Sequence, residues 1–473
     1  MDKKVAAHLD KYLDKLRHFY DDVDPKLNWT ALHYRKNLAH YYRLLIPESS
    51  SVLEVGCGGG HLLELLPNRD ITGVDASAKQ VELAQKRVPH GKFFHQSGEE
   101  LNLDEKFDVI ILSDTVDFAA DVQAIFKSLK KVIHPGTRLI LNFYNTLWKP
   151  AFQLGKSLGL KRSDPPCNWL SRDDLINLLD LADWQVVQTQ TRILCPLPLF
   201  GLEKLLNRYL APLMEPLCLA TFCVARPRIT NETATASVSV VIPARNEAGN
   251  IEAAIRRLPN MGKFTEVIFV EGNSTDNTWS EIQRVARENP EYRIKILQQS
   301  GKGKGNAVRE GFDVAEGDIL MILDADLTMP PEELPKFYHV LASGHAEFAN
   351  GVRLVYPMEK EAMRFLNMCA NKFFSIAFTW LLSQSVKDTL CGTKVLFRSD
   401  YDRIIANRSY FGDFDPFGDF DLLFGASKLN LKIADVPIRY RERTYGETNI
   451  HRWKHGLLLL RMTAFAARKL KFI

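Results

Sequence analysis

A chain of 473 residues is too long for a single hydrophobic core, so its length predicts two domains. The composition is that of an ordinary globular protein, with 46% apolar and 25% charged residues, and the net charge of +4 does not indicate a nucleic-acid partner. The seven cysteines are scattered without a CxxC pair, which indicates a reducing compartment and no structural zinc. The charged, amphipathic N-terminus is not typical of a signal peptide, and without an uncharged apolar run of about 18 residues we predict no membrane-spanning helix.

The first half of the chain begins with a helical pattern up to residue 46 and continues with alternating strands and helices. A predicted strand at 52–55 leads into the glycine-rich stretch 56–60, where glycines allow positive φ and close approach of a ligand to the backbone. The helix that follows offers free N–H groups at its start. A second predicted strand ends at Asp75, where a carboxylate can accept hydrogen bonds from both ribose hydroxyls of a nucleoside.

These motifs resemble those of class I S-adenosylmethionine-dependent methyltransferases, over nearly all of residues 1–228. The resemblance implies a Rossmann-like fold that binds S-adenosylmethionine and methylates an unidentified acceptor, with a glycan or a lipid as candidates. Ser97 stands where the family usually has an aspartate near the adenine. Ser113 and Asp114 follow the fourth strand and would face the methyl group. The implied cofactor-binding residues are Glu54, Gly56, Gly58, Gly60, Asp75, Ser97 and Ser113.

Two other interpretations of the first half are open. A Rossmann oxidoreductase would carry a G-x-G-x-x-G turn, whereas the stretch from Gly56 to His61 has no glycine at the sixth place. A domain that binds or scaffolds without turnover is the second interpretation, because Ser97 departs from the motif and the sequence does not reveal an acceptor site. We also predict that a strand near 219–225 closes the edge of the sheet, and that the insert 142–170 holds an acceptor lid.

The second half follows a short polar linker, predicted at 229–236, and runs from 237 to 473. Strand-like stretches at 238–244, 266–271 and 293–299 alternate with helical ones, and a glycine-rich loop leads into a helix at 301–312. This alternation predicts a mostly parallel α/β sheet.

A short apolar run in the second half, Ile319 to Leu323, ends in Asp324-Ala325-Asp326. Its length and the flanking Gly317 and Pro330 favour a buried strand of a parallel sheet. Two carboxylates at the end of such a strand are costly to bury unless they share a cation. A hard divalent ion beside a bound diphosphate would satisfy both, and a strand end that turns into a solvated loop is the alternative.

The second half resembles family 2 inverting glycosyltransferases of the GT-A fold, in particular those that transfer sugars to polyprenyl (dolichyl) phosphate. The resemblance implies a nucleotide-sugar donor and Mg²⁺ or Mn²⁺ held by Asp324 and Asp326. Glu271 stands where the family usually has the first of two aspartates, which leaves the nucleotide base open. The implied nucleotide-sugar-binding residues are Pro243, Arg245, Asn246, Glu247, Glu271, Ser274, Asp276, Lys304 and Asp324.

The same resemblance predicts a phosphate-bearing acceptor, held by Arg353, Lys394 and Arg441. The implied catalytic residues are Asp324, Asp326, Asp419 and Asp421. The last two lie near a helix start where the family has its general base. An aspartate at a helix start also stabilises the helix by itself, so a structural role for this pair is open.

Two stretches of the second half suggest a membrane surface. In 363–383 the polar residues form one stripe at near-helical spacing on an otherwise apolar segment, and the C-terminus mixes leucines with arginines and lysines. Core helices or a homodimer interface are the alternatives.

The sequence as a whole predicts an α/β protein of two domains, at 1–228 and 237–473. We interpret it as a bifunctional transferase, peripheral on the inner, cytoplasmic face of the cell membrane, with no nucleic-acid partner. A glycosyltransferase with a soluble acceptor and a non-catalytic N-terminal domain is the alternative.

Overall fold

The computed structural model describes residues 19, 21, 29–158, 167–228, 235–356, 365–407, 420–443, 445 and 452–473. The chain divides into two compact units after Arg228, called here the N-terminal unit and the C-terminal unit. Each unit has its own sheet and its own hydrophobic core. In the described residues no helix is both long and apolar enough to cross a membrane.

The N-terminal unit is a layered α/β structure. Its strands are β1 (Val52–Val55), β2 (Ile71–Asp75), β3 (Lys92–His95), β4 (Val109–Ser113), β5 (Arg138–Tyr144), β6 (Trp184–Arg192) and β7 (Ala220–Pro227). Its helices are α1 (Trp29–Leu45), α2 (Ala78–Arg87), α3 (Val122–Ser128), α4 (Lys149–Ser157), α5 (Arg172–Asp180) and α6 (Leu202–Leu205). Single 3₁₀ turns and one π turn (Leu206–Leu210) complete the described elements.

The sheet of the N-terminal unit has the order β3-β2-β1-β4-β5-β7-β6. Strands β1 to β5 pair in parallel, and β1, β2, β4 and β5 carry buried apolar residues that form the core. Local signals start the helices, since Ser77 accepts a hydrogen bond from the Gln80 backbone N–H at 3.2 Å and Ser171 forms a capping box with Asp174. The carboxyl ends of β1, β2 and β4 therefore meet at one edge of the sheet.

The last strand does not close the edge of the sheet, so that prediction was wrong. β7 lies between β5 and β6, antiparallel to both, and β6 forms the edge. The physical reason is visible in burial, because every residue of β7 is buried whereas β6 alternates buried and half-buried positions. An edge strand tolerates such partial exposure and a central strand does not.

The C-terminal unit is also a layered α/β structure. Its strands are β8 (Val238–Ala244), β9 (Thr265–Glu271), β10 (Arg293–Gln298), β11 (Ile319–Ile322), β12 (Phe348–Val352), β13 (Lys394–Phe397) and β14 (Ile433–Pro437). Its described helices are α7 (Ile251–Arg256), α8 (Thr278–Glu288), α9 (Lys304–Asp313), α10 (Leu334–Ala342), α11 (Phe365–Leu382), α12 (Arg398–Ala406), α13 (Phe420–Lys428) and α14 (Arg452–Leu470).

The sheet of the C-terminal unit has the order β10-β9-β8-β11-β13-β12-β14. β8, β9, β10 and β11 pair in parallel, and β13 is antiparallel to both β11 and β12. The apolar run before Asp324 forms β11, fully buried at the centre of the sheet. Its carboxyl end lies beside the carboxyl end of β8, which places the residues after these two strands together. The predicted α/β class with two sheets in two units is confirmed.

Candidate active sites

The glycine-rich turn after β1 forms one wall of a site in the N-terminal unit. Gly56, Gly58 and Gly60 all have positive φ, at 77°, 49° and 75°. The Gly58 and Ser77 N–H groups donate to the two oxygens of Asp75 at 2.8 and 2.9 Å. The tight turn therefore fixes the orientation of the carboxylate at the end of β2.

A cavity of about 260 Å³ opens over this turn and the ends of β1, β2 and β4. Glu54, Gly56, Gly58, Asp75 and Ser113 all line it, as the predicted site requires. Gly60 is not among the residues that line the cavity. A Cβ there would lie 3.1 Å from Ala84, so the glycine allows α2 to pack closely against the turn.

Ser97 takes a different position from the one predicted for it. The wall at this point is formed by Gln96, Gly98 and Glu99. Ser97 caps the turn that follows and directs its hydroxyl to the Glu99 carboxylate. Serine is too short to reach past this turn, so Gln96 and Glu99 supply the polar atoms near the cavity.

Glu54 carries the strongest sign of a missing cationic ligand. Its side chain is 2% exposed, lines the cavity, and has an oxygen, Oε2, without a hydrogen-bond partner among the described residues. Burial raises the pKa of Glu54 to about 8, although nearby Arg35 opposes the shift. A cationic group would satisfy the oxygen, and S-adenosylmethionine carries both an ammonium and a sulfonium. The residues present therefore fit that cofactor.

A buried polar network lies beside the end of β4, and its members Tyr34 and Arg35 were not foreseen from the sequence. Asp114 has a left-handed backbone (φ 56°) and accepts hydrogen bonds from Tyr34 Oη at 3.1 Å and from Asn142 Nδ2. Arg35 lies 3.3 Å from the Asp114 carboxylate and 3.3 Å from Ser113 Oγ. Burial, and then Asp114, raise the pKa of Tyr34 well above its usual value, so this phenol stays a donor.

A pattern in the sequence could have predicted that Tyr34 and Arg35 face inward. Tyr34 and Arg35 lie four and three positions before Leu38, which is fully buried, and so they extend the inward face of α1 by one turn. A charged residue on such a face needs a partner, and Asp114 supplies it.

In the C-terminal unit, the ends of β8 and β9 form a polar platform that contains the predicted nucleotide-binding residues. Asn246, with φ 57°, receives a hydrogen bond from the Thr275 N–H at 2.8 Å and donates its own N–H to Ser274 Oγ at 3.1 Å. The Glu271 carboxylate accepts the Ser274 N–H at 2.5 Å.

Pro243, Arg245 and Asp276, also predicted to bind the nucleotide sugar, differ in exposure and in the contacts they make. Pro243 lies within β8, and Arg245, which follows the strand, is exposed. Asp276 accepts the Thr278 N–H at 3.0 Å, so part of its role is to start α8.

The end of β11 carries a carboxylate surrounded by cations. Asp324 Oδ1 lies 2.6 Å from Lys304 Nζ, at the first residue of α9. Partial burial raises the pKa of Asp324, but the charges of Lys304, Lys394 and Arg353 outweigh this effect and hold the pKa below its usual value. Gly392 packs against the pair, because a Cβ there would lie 2.1 Å from Asp324 Oδ2 and 2.3 Å from Lys304 Nζ.

Asp326 is bound by an arginine that the site prediction did not include. Arg443 donates to Asp326 Oδ2 and to Glu247 Oε1, each at 2.7 Å, and thereby joins the ends of β8 and β11. Thr328 holds the other Asp326 oxygen through its N–H and its hydroxyl, at 3.1 and 2.8 Å. Arg441 contributes a backbone N–H to the Thr328 carbonyl, and its side chain is exposed.

The other two residues predicted to bind an acceptor phosphate are held inside the unit. Arg353 forms a bidentate pair with Asp388 at 2.7 and 2.9 Å, and Lys394 is fully buried with its ammonium on the Cys391 carbonyl. Burial raises the pKa of Asp388, but Arg353 and several hydrogen bonds lower it to about 2. A contact between Arg353 and a ligand would use the part of the guanidinium that faces away from Asp388.

The predicted general-base region is only partly described. Asp421 lies in the first turn of α13, 3.9 Å from Arg309 on α9, and it lines a small pocket with Tyr401. These contacts do not bring it to Asp324 or Asp326. Asp419 lies outside the described residues.

Across the described ranges no group of three or more His, Cys, Asp or Glu side chains is placed to hold a metal ion. Asp324 and Asp326 are each paired with a cation, Lys304 and Arg443. Carboxylate oxygens suit Mg²⁺ or Mn²⁺, so the donor chemistry fits a divalent ion that displaces these pairings and completes its shell from phosphate and water.

Comparison with known proteins assigns each unit to a class. Residues 30–189 match the model of a methyltransferase domain, and residues 239–405 match that of glycosyl transferase family 2. The chain therefore carries a region that matches a methyltransferase domain, followed by a region that matches glycosyl transferase family 2, as the sequence motifs predict.

The glycosyltransferase domain resembles polyprenyl-phosphate sugar transferases. A dolichol-phosphate mannosyltransferase of Pyrococcus furiosus is 36% identical over 221 residues, which cover 45% of this chain and 59% of that protein. An undecaprenyl-phosphate 4-deoxy-4-formamido-L-arabinose transferase of Yersinia pestis is 36% identical over 112 residues, covering 23% of this chain and 34% of the relative. The chain thus spans less than two thirds of the length of these relatives.

Among solved structures, a SAM-dependent methyltransferase of Thermotoga maritima is 20% identical, with a TM-score of 0.33, and the match covers 42% of this chain and 93% of that one.

Proposed function

We propose that the C-terminal unit transfers a sugar from a nucleotide-sugar donor to a polyprenyl phosphate, with inversion and with a divalent metal. The N-terminal unit transfers a methyl group from S-adenosylmethionine to a separate acceptor. The observation that carries the first activity is the pair Asp324 and Asp326 at the end of the central strand β11, surrounded by Lys304, Lys394 and Arg443.

The residues after β8, β9 and β11 would contact different parts of the donor. Asn246, Glu271 and Ser274 form the platform for the nucleoside. Lys304 and Arg443, which neutralise the two aspartates, are positioned to bind phosphate oxygens when these aspartates hold a metal. The metal would supply charge stabilisation for the departing diphosphate.

The acceptor follows from the relatives and from the cations near Asp324. Both relatives are named for a polyprenyl phosphate, and Arg353 and the exposed Arg441 are our candidates for its phosphate, whereas the fully buried Lys394 would act only through its charge. An acceptor that is already an anion needs little base catalysis. Asp421 and Asp419 then remain candidates for orienting the acceptor, and become essential only if a hydroxyl must be deprotonated.

A membrane location is supported by the orientation of α11. Two of its polar residues face inward, since Asn371 donates to Asp388 at 2.9 Å and Ser375 donates to the Val386 carbonyl at 2.9 Å. The apolar Phe373 and Ile376 are instead 56% and 71% exposed. Helix α14, which packs on α11, exposes Leu457 and Leu460 together with Arg461 and Arg468. Exposed apolar residues beside basic ones favour a peripheral contact with anionic lipid.

The methyltransferase activity is supported by the cavity over the glycine-rich turn. Two backbone N–H groups orient Asp75, which would accept hydrogen bonds from a ribose, and Glu54 has an oxygen without a partner among the described residues that a cation would satisfy. The network of Tyr34, Arg35 and Asp114 lies at the end of β4, where it can orient an acceptor.

The test of the sugar-transfer proposal is the variant Asp326→Ala. We expect it to abolish sugar transfer and to leave binding of S-adenosylmethionine intact, measured by donor turnover and by calorimetry on the same preparation. Asp402→Ala, an exposed position on α12 of the same unit, is the matched control and should retain transfer. Persistent transfer by Asp326→Ala would overturn the role of this residue, and lack of methyl-donor binding by the wild type would favour a scaffolding N-terminal unit.

A further inference from the structure

Two inserts of the N-terminal unit expose an unusual number of large apolar side chains. One covers 146–158, around α4, and the other covers 197–217, between β6 and β7. We call their combined face the insert surface. Its exposed apolar residues are Leu147, Leu154, Leu158, Leu197, Leu199, Phe200, Leu202, Leu205, Tyr209, Leu210, Leu213, Met214 and Leu217. An apolar patch of this extent on a water-soluble domain marks an interaction site.

Hydrogen bonds join the two inserts into one surface. Asn145 Nδ2 donates to the carbonyls of Pro216 and Cys218 at 2.8 and 3.0 Å. Trp148 Nε1 donates to the Leu217 carbonyl at 3.0 Å. The start of α4 is therefore fixed beside the end of the second insert, so the two exposed apolar segments adjoin each other there.

The charges on this surface have one sign. Within these two fully described inserts, the exposed charged side chains are Lys149, Lys156, Lys204 and Arg208. The carboxylates are withdrawn: Glu203 is buried and accepts the N–H groups of Leu199 and Gly201, both at 2.8 Å, and Glu215 is half-buried. A partner that covers this face must offer both apolar contacts and negative charge.

An aromatic cluster links the surface to the cofactor cavity. Tyr144, which lines the cavity, packs against Phe152 of α4 with ring centroids 5.1 Å apart. Phe152 in turn contacts Trp169 at 5.7 Å and Trp148 at 6.5 Å. The same helix thus contributes Phe152 to the cluster beside Tyr144 and Leu154 to the exposed face.

We propose that the insert surface docks on an anionic lipid bilayer, and that the methyl acceptor is a lipid-anchored molecule which enters the cavity past Tyr144. Leucine and aromatic side chains would enter the interface while the four cations contact lipid phosphates. The docking of this surface on a bilayer does not depend on the proposed methyltransferase function. Only the class of the methyl acceptor rests on that function. A second copy of the chain is a poorer occupant, because a two-fold contact brings the same cations against each other.

The test is hydrogen–deuterium exchange on the full chain, with and without vesicles of phosphatidylcholine and phosphatidylglycerol. We expect peptides within 146–158 and 197–217 to become protected in the anionic vesicles and not in pure phosphatidylcholine. Protection confined to α11 and α14 would overturn the proposal. Protection that increases with protein concentration in the absence of vesicles would also overturn it, in favour of a second copy.

A double variant and a matched control test whether the insert surface itself binds the vesicles. The double variant Leu154→Glu with Leu213→Glu changes two residues that are 60% and 64% exposed, so the fold should tolerate it. We expect about tenfold weaker vesicle binding and loss of the local protection. Leu181→Glu, 57% exposed at the end of α5 and outside the surface, is the matched control and should bind as the wild type does. Equal vesicle binding and equal protection in the double variant would contradict the proposal. Calorimetry with S-adenosylmethionine, which does not depend on lipid, tests the proposed function separately.

Discussion

Glu54 combines a raised pKa with an oxygen that has no hydrogen-bond partner in the described part of the chain, and together these features predict proton release on cofactor binding. At pH 7 a carboxyl with a pKa of about 8 is mostly protonated. A bound cation favours the ionised form, so binding of S-adenosylmethionine should release close to one proton. Calorimetry in buffers of different ionisation enthalpy measures this number directly.

Glu54→Gln is the control for this prediction, because the amide cannot release the proton. We expect weaker binding and a heat of binding that no longer depends on the buffer. A wild-type heat that is the same in every buffer would contradict the prediction. Without ligand, the raised folded-state pKa also means that stability falls as pH rises from about 4.5 to about 8, since the unfolded carboxyl loses its proton first.

Gly392 has no side chain, and this leaves the space that the Asp324–Lys304 pair occupies. Replacement by alanine would place a methyl group 2.1 Å from Asp324 Oδ2, so the Asp324–Lys304 pair must shift. Moving a catalytic group by about 1 Å can cost about 100-fold in rate. We therefore expect Gly392→Ala to lower sugar transfer by about that factor, measured as nucleoside diphosphate released.

The control for the Gly392 prediction is Gly456→Ala on α14, where an added Cβ meets nothing within 4 Å. That variant should keep full transfer and gain about 0.5–1 kcal/mol of stability, because alanine favours the helix. Unchanged transfer by Gly392→Ala would show that the pair does not act in the reaction.

At the scale of elements, α11 departs from an ordinary surface helix, since the polar Asn371 and Ser375 are buried whereas the apolar Phe373 and Ile376 are exposed. Asn371→Leu removes a donor to the buried Asp388, so we expect a loss of about 1–3 kcal/mol in the unfolding free energy of the C-terminal unit. Ile376→Asn should leave stability nearly unchanged and weaken vesicle binding, because this side chain is 71% exposed. Denaturant unfolding and vesicle sedimentation separate the two effects, and equal destabilisation by both variants would contradict this orientation.

Elements were predictable from the sequence where apolar runs end in turn residues. The strands before Gly56 and before Asp324 follow from such runs, and so does the position of Asp75 at a strand end. The position of β7 inside the sheet did not follow, because local pattern reveals that a strand forms but not which strands flank it. Arg443 was missed as a ligand of Asp326 for a similar reason, since its partners lie 117 and 196 residues away in the chain.

At the scale of the whole molecule, two sheets with separate cores carry two different sets of polar residues. The N-terminal set, around Glu54 and Asp75, suits a nucleoside with a cationic group. The C-terminal set, around Asp324 and Asp326, suits a diphosphate. Because each set lies at the strand ends of its own sheet, we expect loss of one activity to leave the other intact.

The central claim is sugar transfer from a nucleotide sugar to a polyprenyl phosphate, and a donor screen tests it most directly. The full chain, with Mg²⁺ or Mn²⁺ and a short-chain polyprenyl phosphate, would be incubated with each common nucleotide sugar while released nucleoside diphosphate is measured. We predict release with one donor that requires both the lipid phosphate and the metal, and that is absent in Asp326→Ala. Release that ignores the lipid, or no release with any donor, would contradict the account and favour a soluble acceptor.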